Sequence, residues 1–136
     1  MSVHTDLSRN RVTEAPSAGL MWFMVATLVV MSTLHLAGVL DVGSQSSNGD
    51  SAGIAEAVIA VVLAYGAAGL RRRTPHARRD ARLATGFAIV GFLIGLSFTV
   101  PSGDAVDIVY HGFGLVVLLI TLGALRRSSE RTGYRR

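Results

Sequence analysis

The sequence of 136 residues contains no cysteine. This absence excludes disulfide bonds, thiolate metal sites, iron–sulfur clusters, covalently attached c-type haem and a lipoprotein anchor. Lysine is absent as well, so all thirteen basic residues are arginine. Any metal ion or haem would therefore need histidine, carboxylate or methionine ligands.

Charged residues are scarce and unevenly distributed along the chain. They make up 16% of the sequence, while hydrophobic residues make up 50%; soluble domains carry about 25% charged residues. Long uncharged blocks alternate with short arginine-rich or polar connections, so the apolar residues are not the periodic faces of surface helices. The composition predicts an integral membrane protein.

Four apolar runs are long enough to cross a hydrocarbon core of about 30 Å at a rise of about 1.5 Å per residue. They cover about 19–40, 52–70, 83–100 and 105–125, within a transmembrane domain of 19–125. A polar tail (1–18) precedes them and a basic tail (126–136) follows. We expect the first run to be a span, because it is too long for a signal peptide and no small-residue cleavage site follows it. The predicted fold class is an all-α integral membrane four-helix bundle.

Arginine is confined to one side of the predicted topology. The connection at 71–82 carries six arginines and one aspartate, the C-terminal tail carries five arginines, and the outer loops at 41–51 and 101–104 carry none. The positive-inside rule therefore predicts an N-in/C-in protein with both termini cytoplasmic. Together with the Ala, Gly, Val and Leu richness, the exclusive use of arginine indicates a bacterial protein, which places the bundle in the inner membrane.

The same arginines are candidates for contact with anionic lipid headgroups, at about 1 kcal/mol per residue near the surface; alternatively, they only fix the orientation. The candidates are Arg71, Arg72, Arg73, Arg78, Arg79, Arg126 and Arg127. We expect the bilayer as partner and no nucleic acid, because the basic segments are short and lack interleaved aromatic residues.

The second and fourth spans resemble each other. A shift of 55 positions aligns Val61-Val62-Leu63 with Val116-Val117-Leu118, and Leu70-Arg71-Arg72 with Leu125-Arg126-Arg127. This alignment is compatible with two tandem hairpins of the same orientation, a parallel repeat about the membrane normal. The first and third spans align poorly, so a chance match is the alternative.

Three residues inside apolar spans are ionisable: His35, Glu56 and His111. Each lies four to six residues from the outer end of its predicted span, at a depth of about 6–9 Å. Asp107 precedes His111 by four residues and so shares its helix face. Because a charged side chain facing lipid at this depth costs up to about 3 kcal/mol or more, we expect the four residues to face one another inside the bundle.

Several functions fit this constellation. A Glu/His cluster exchanges protons near physiological pH, which favours proton- or cation-coupled transport of a small solute, with Glu56 as the binding site and His35, His111 and Asp107 as its partners. The alternatives are a redox subunit holding haem b or a divalent metal through His35, His111 and Glu56, and a non-catalytic accessory subunit in which the cluster only fixes helix register. An enzyme is not expected, for want of a placed nucleophile and base.

Secondary features concern packing and assembly. Gly91 and Gly95 form a G-x-x-x-G pair suited to tight helix contact. Ser32 is placed either to orient the His35 ring or to bond a carbonyl of its own helix. Tyr65 and Thr121 are weaker candidates for the site, at mid-to-inner positions of the second and fourth spans; alternatively, each is packed and hydrogen-bonded within the bundle. Because four short helices make a thin pore wall, we expect a homo-oligomer or a larger membrane complex.

Overall fold

The computed structural model describes the backbone of residues 3–39, 46–103 and 105–133, and the side chains of residues 16–39, 50–101, 103 and 105–127. These residues form four helices and no strand. The helices are α1 (Val3–Leu36), α2 (Ser46–Arg72), α3 (Ala77–Ser102) and α4 (Ala105–Gly133). The predicted all-α four-helix bundle is confirmed.

The helices extend beyond the predicted spans at most ends. α1 continues through the N-terminal segment that we predicted to be a tail, and α4 continues into the basic tail. α3 begins at Ala77, inside the arginine-rich connection. Arginine, glutamate and alanine are good helix formers, so a helix nucleated in the apolar span continues into its polar flanks. The segments long and apolar enough to cross a membrane are Pro16–Leu36, Asp50–Arg72, Ala77–Pro101 and Ala105–Arg127.

α1 is shorter than predicted at its other end. Gly38 adopts φ 66°, and the amides of Gly38 and Val39 donate to the carbonyls of His35 and Leu34 at 3.0 Å each. This is the Schellman arrangement, in which a left-handed residue closes the last turn. The helix therefore ends at Leu36 and not at residue 40, and His35 lies in its last turn.

The predicted outer connections are described only in part. Residues 40–45 of the first and Asp104 of the second lie outside the described residues. In the second, α3 runs through Pro101, and Gly103 closes it in a left-handed cap with φ 74°.

The four helices pack in a ring of antiparallel neighbours. α1 contacts α2 and α4, and α3 contacts the same two helices from the other side. The core between them is apolar over most of its length, with Leu28, Leu63, Phe92 and Leu118 at 0–1% exposure. One end of the ring carries the connection between α2 and α3, and is called the arginine-rich end. The opposite end, where α1 and α3 finish and α4 begins, is called the polar end.

Polar side chains are buried and large apolar side chains are exposed, which is the reverse of a soluble protein. His35, Glu56 and Asp107 are at most 6% exposed, whereas large apolar side chains such as Val61 and Phe98 are at least 70% exposed. Apolar side chains this exposed require an apolar solvent. The chain is therefore a multi-pass membrane protein whose outer surface contacts lipid.

The structure differs from two of the predictions about helix packing. Gly91 and Gly95 do not bring two backbones together: the Ile59 side chain of α2 lies over Gly91, and the His111 ring of α4 lies over Gly95. Tyr65, which either prediction placed inside the bundle, is 70% exposed, whereas Thr121 is buried and bonded to the Val117 carbonyl. Helix rotation puts residue 65 on the lipid side.

The burial patterns of α2 and α4 agree with the proposed alignment. Glu56 and His111 are both buried, Leu63 and Leu118 are both fully buried, and Val61 and Val116 are both exposed. The aligned helices thus present the same face to the core. The duplication itself stays a prediction.

Candidate functional site at the polar end

The buried polar side chains concentrate at the polar end of the bundle. His35 comes from the last turn of α1 and Asp107 from the first turn of α4, while Glu56 lies in α2. Since neighbouring helices run antiparallel, the end of α1 and the beginnings of α2 and α4 meet at one level. The shared depth predicted for these residues follows from this topology.

His35 lies between two carboxyl groups. Its Nδ1 is 2.9 Å from Glu56 Oε2, a hydrogen bond across α1 and α2. Its Nε2 is 3.8 Å from Asp107 Oδ2, which is ion-pair distance when the ring is protonated. All three side chains are at least nine-tenths buried. The imidazole therefore bridges carboxyl groups on two other helices.

His111 belongs to the same layer but has a different partner from the one predicted. Its Nδ1 lies 2.8 Å from the main-chain carbonyl of Asp107, one turn earlier in α4. The N–H donates to that carbonyl, which fixes the tautomer with the proton on Nδ1. The ring packs over Gly95. His111 thus orients the beginning of α4 and makes no hydrogen bond to His35 or Glu56 in the described part of the chain.

Tyr110 is a member of this site that sequence reasoning did not assign. Its hydroxyl is buried beside the Thr27 side chain, within electrostatic range of the Glu56 and Asp107 carboxyl groups. The signal in the sequence was its position between the two residues that were assigned, but adjacent helix positions point in different directions. Only the helix rotation shows that position 110 also faces inward.

Two buried atoms of the cluster lack a hydrogen-bond partner. They are His35 Nε2 and Glu56 Oε1. They give the site unused hydrogen-bonding capacity on two different helices. Because a buried polar atom without a partner costs about 1–3 kcal/mol, such atoms mark places where a proton, water or solute is exchanged.

Ser32 ties α1 to α2 beside the cluster. Its hydroxyl donates to the Gly53 carbonyl at 2.7 Å, so both predicted roles, orienting His35 and bonding its own helix, are wrong. Gly53 permits this approach, since a Cβ there would meet the Leu36 side chain at 2.8 Å. The bond joins the same two helices as the His35–Glu56 hydrogen bond.

An aromatic layer separates the polar cluster from the apolar core. The Phe92 ring lies 5.5 Å from that of Tyr110 and 5.3 Å from that of His111, centroid to centroid. Phe92 is fully buried and also packs on Gly114. On the side of the arginine-rich end the cluster is therefore closed by aromatic and aliphatic side chains.

The alternative ligand set for a metal ion or haem was His35, His111 and Glu56. Within the described side chains, no group of three or more His, Asp or Glu residues has the arrangement of a metal site. The His111 Nδ1–H donates to the main chain of its own helix, an arrangement that leaves Nε2 as the ligating nitrogen of a histidine. The haem interpretation stays a prediction.

The arginines predicted to contact lipid headgroups all lie at the opposite end. Arg71, Arg72, Arg73, Arg79, Arg126 and Arg127 are exposed, and Arg78 is half-buried. The bundle thus buries acidic and imidazole groups at one end and exposes guanidinium groups at the other.

The fold and the site define a class: a small four-helix membrane protein with a buried carboxylate–imidazole–carboxylate cluster at one end. Comparison with protein-family models, characterised proteins and solved structures gives no match.

Proposed function

We propose that the protein moves a small solute across the bacterial inner membrane by coupling it to a proton or cation that binds at His35, Glu56 and Asp107. The observation that supports this function is the His35 ring lying between two buried carboxyl groups, 2.9 Å from one and 3.8 Å from the other. The proton is favoured over a metal cation because the shorter contact is itself a proton-carrying hydrogen bond.

Charge balance explains why this cluster binds protons. With both carboxylates ionised and the ring neutral, the site carries two negative charges in an apolar interior, which is strongly disfavoured. Protonating the ring and one carboxyl group makes it neutral. The cluster therefore has a proton-loaded arrangement that carries no net buried charge.

The unpartnered atoms supply the point of coupling. Glu56 Oε1 and His35 Nε2 are buried with no hydrogen-bond partner. A polar solute or a water seated against them would exchange hydrogen bonds with the same carboxyl group that holds the proton. Binding of solute and binding of proton are then linked through Glu56, as coupled transport requires.

Access is from the polar end. By sequence, the outer connections carry Asp41 and Asp104 and no arginine, so the local field attracts protons and cations. The path to the other side is filled by Phe92 and the aliphatic core. Transport therefore needs a second conformation in which this core opens, and we propose that a second copy or a partner subunit completes the thin wall of the pathway.

Proteoliposomes test the proposal. The purified protein is reconstituted with an internal pH dye, and proton uptake is measured while a panel of small polar and cationic solutes is added outside. We expect solute-dependent proton flux in the parent protein and none in Glu56→Gln, which keeps a neutral hydrogen-bonding group but removes the titrating carboxyl.

Asp50→Asn is the matched control, because Asp50 is an exposed carboxyl on the same helix. It should retain flux. If the parent shows no solute-linked proton flux, and Glu56→Gln instead lowers the thermal stability, the cluster is a structural register device and the proposal is wrong.

A further inference from the structure

The arginine-rich end contains a cavity of about 490 Å³ between the end of α2 and the beginning of α3. Four arginines, one histidine and one threonine contribute its polar lining: Arg73, Arg78, Arg79, Arg82, His76 and Thr74. No carboxylate lines it. A concave site with this charge has the chemistry of an anion site, and guanidinium groups match phosphate oxygens in geometry.

The local backbone explains how the arginines come to surround one space. Arg73 is left-handed, with φ 56°, and the Thr74 amide donates to the Gly69 carbonyl at 3.3 Å. This closes α2 in a Schellman turn that reverses the chain. Arg73 is thereby placed on one wall and Arg79 on the other, although five residues separate them.

The start of α3 adds to the positive potential. His76 at its N-cap makes no side-chain capping hydrogen bond, and a helix N-terminus carries about half a positive charge. The cavity therefore combines the helix end with guanidinium groups from both sides of the turn. This arrangement is more specific than a row of arginines that only sets orientation.

A second cavity, of about 390 Å³, adjoins the first and shares two of its arginines. It is lined by Arg79, Arg82 and Leu83. Leu83 begins a stripe of exposed apolar side chains that follows one face of α3 towards the polar end: Leu83, Phe87, Val90 and Ile94. The charged cavity thus opens onto a lipid-facing track suited to an acyl chain.

We propose that these two cavities form a specific site for an anionic lipid whose headgroup carries at least two negative charges on phosphate. The phosphates lie among Arg73, Arg79 and the α3 N-terminus, and an acyl chain follows the α3 stripe. A doubly charged headgroup fits better than a singly charged one because Arg73 and Arg79 place two guanidinium groups beside the α3 N-terminus. A free phosphate shares the headgroup chemistry but would leave the apolar track unused.

The test compares two charge-matched double variants by native mass spectrometry and by titration in detergent. Arg73→Gln with Arg79→Gln removes two lining arginines. Arg71→Gln with Arg72→Gln removes two exposed arginines that do not line the cavity. The probes are cardiolipin, phosphatidylcholine and inorganic diphosphate.

We expect cardiolipin to bind the parent and the Arg71/Arg72 variant alike, and the Arg73/Arg79 variant at least tenfold more weakly. Equal weakening in both double variants would mean diffuse attraction and overturn the site. Diphosphate binding as tight as cardiolipin would show that the ligand is a soluble phosphate and not a lipid.

Folding of each variant is checked by its melting temperature in phosphatidylcholine micelles. If the Arg73/Arg79 double variant melts early, Arg79→Gln alone replaces it, with Arg71→Gln as its control. Arg79 lies inside α3, away from the left-handed turn. Unchanged cardiolipin affinity in a folded Arg79→Gln protein would refute the proposal.

Discussion

The two ends of the bundle differ in whether their charged side chains are buried or exposed. At the polar end, His35, Glu56 and Asp107 are buried and contact one another across three helices. At the arginine-rich end, the guanidinium groups surround the helix ends, and most of them are exposed. The first arrangement depends on how the helices pack, whereas the second depends on where the chain leaves the bilayer and, around the cavity, on the turn between α2 and α3.

This difference separates two kinds of constraint. A charge at the membrane surface is solvated by water and headgroups, so an arginine outside the cavity tolerates substitution and acts mainly on orientation. A charge inside the bundle is solvated only by its neighbours, so removing one neighbour affects the others. Mutations at the two ends should therefore differ in kind as well as in size.

The largest expected effect concerns which end faces the cytoplasm. A phosphatase reporter that is active only outside the cytoplasm is fused after Ser47 or after Arg79. Arginines surround the fusion point after Arg79, and none lies in the outer loops. We therefore expect activity from the Ser47 fusion and essentially none from the Arg79 fusion. The reverse pattern would invert the assignment of the two ends.

Replacing His35 by leucine should cause the largest loss of stability. The substitution leaves Glu56 and Asp107 buried without the ring between them, and breaking a buried ion pair from one side costs about 3–5 kcal/mol. Thermal unfolding in detergent measures the loss.

His111→Leu is the matched control for that experiment. His111 hydrogen-bonds its own helix, so its loss should be smaller. Equal losses for the two histidines would show that His35 acts by packing alone.

Gly95→Ala should have an intermediate effect at the polar end. A Cβ at this position would collide with the His111 ring, and overpacking of this kind costs about 1–3 kcal/mol. Gly86→Ala on the same helix meets nothing within 4 Å and should be neutral or stabilising by up to about 1 kcal/mol from helix propensity. If both variants unfold at the same temperature, the inference that the His111 ring of α4 packs closely on Gly95 of α3 is wrong.

The smallest effect is expected for Ser32→Ala. It removes the bond to the Gly53 carbonyl, and interhelical hydrogen bonds in membranes average about 0.6 kcal/mol. Ser97→Ala, which removes an exposed bond to the Ile94 carbonyl in its own helix, is the control and should change stability less. A double-mutant cycle with Glu56→Gln shows whether the Ser32 bond supports the cluster, since a coupling of zero would argue against it.

The sequence predicted much of the site but not its pairing. His35, Glu56, Asp107 and their common depth followed from helix rise and the cost of exposing charge to lipid. The bridging position of His35 and the inward position of Tyr110 did not follow. Depth depends on distance along the helix, whereas pairing depends on rotation about the helix axis.

The sequence by itself determined that four apolar helices cross the membrane and that arginine collects at one end, because both follow from transfer of single residues between water and lipid. Only the tertiary structure decided which groups face each other. The spans are apolar on nearly all sides, so no hydrophobic stripe sets their rotation. That rotation is set by contacts between helices, such as the Ser32 bond to Gly53 and the His111 ring over Gly95.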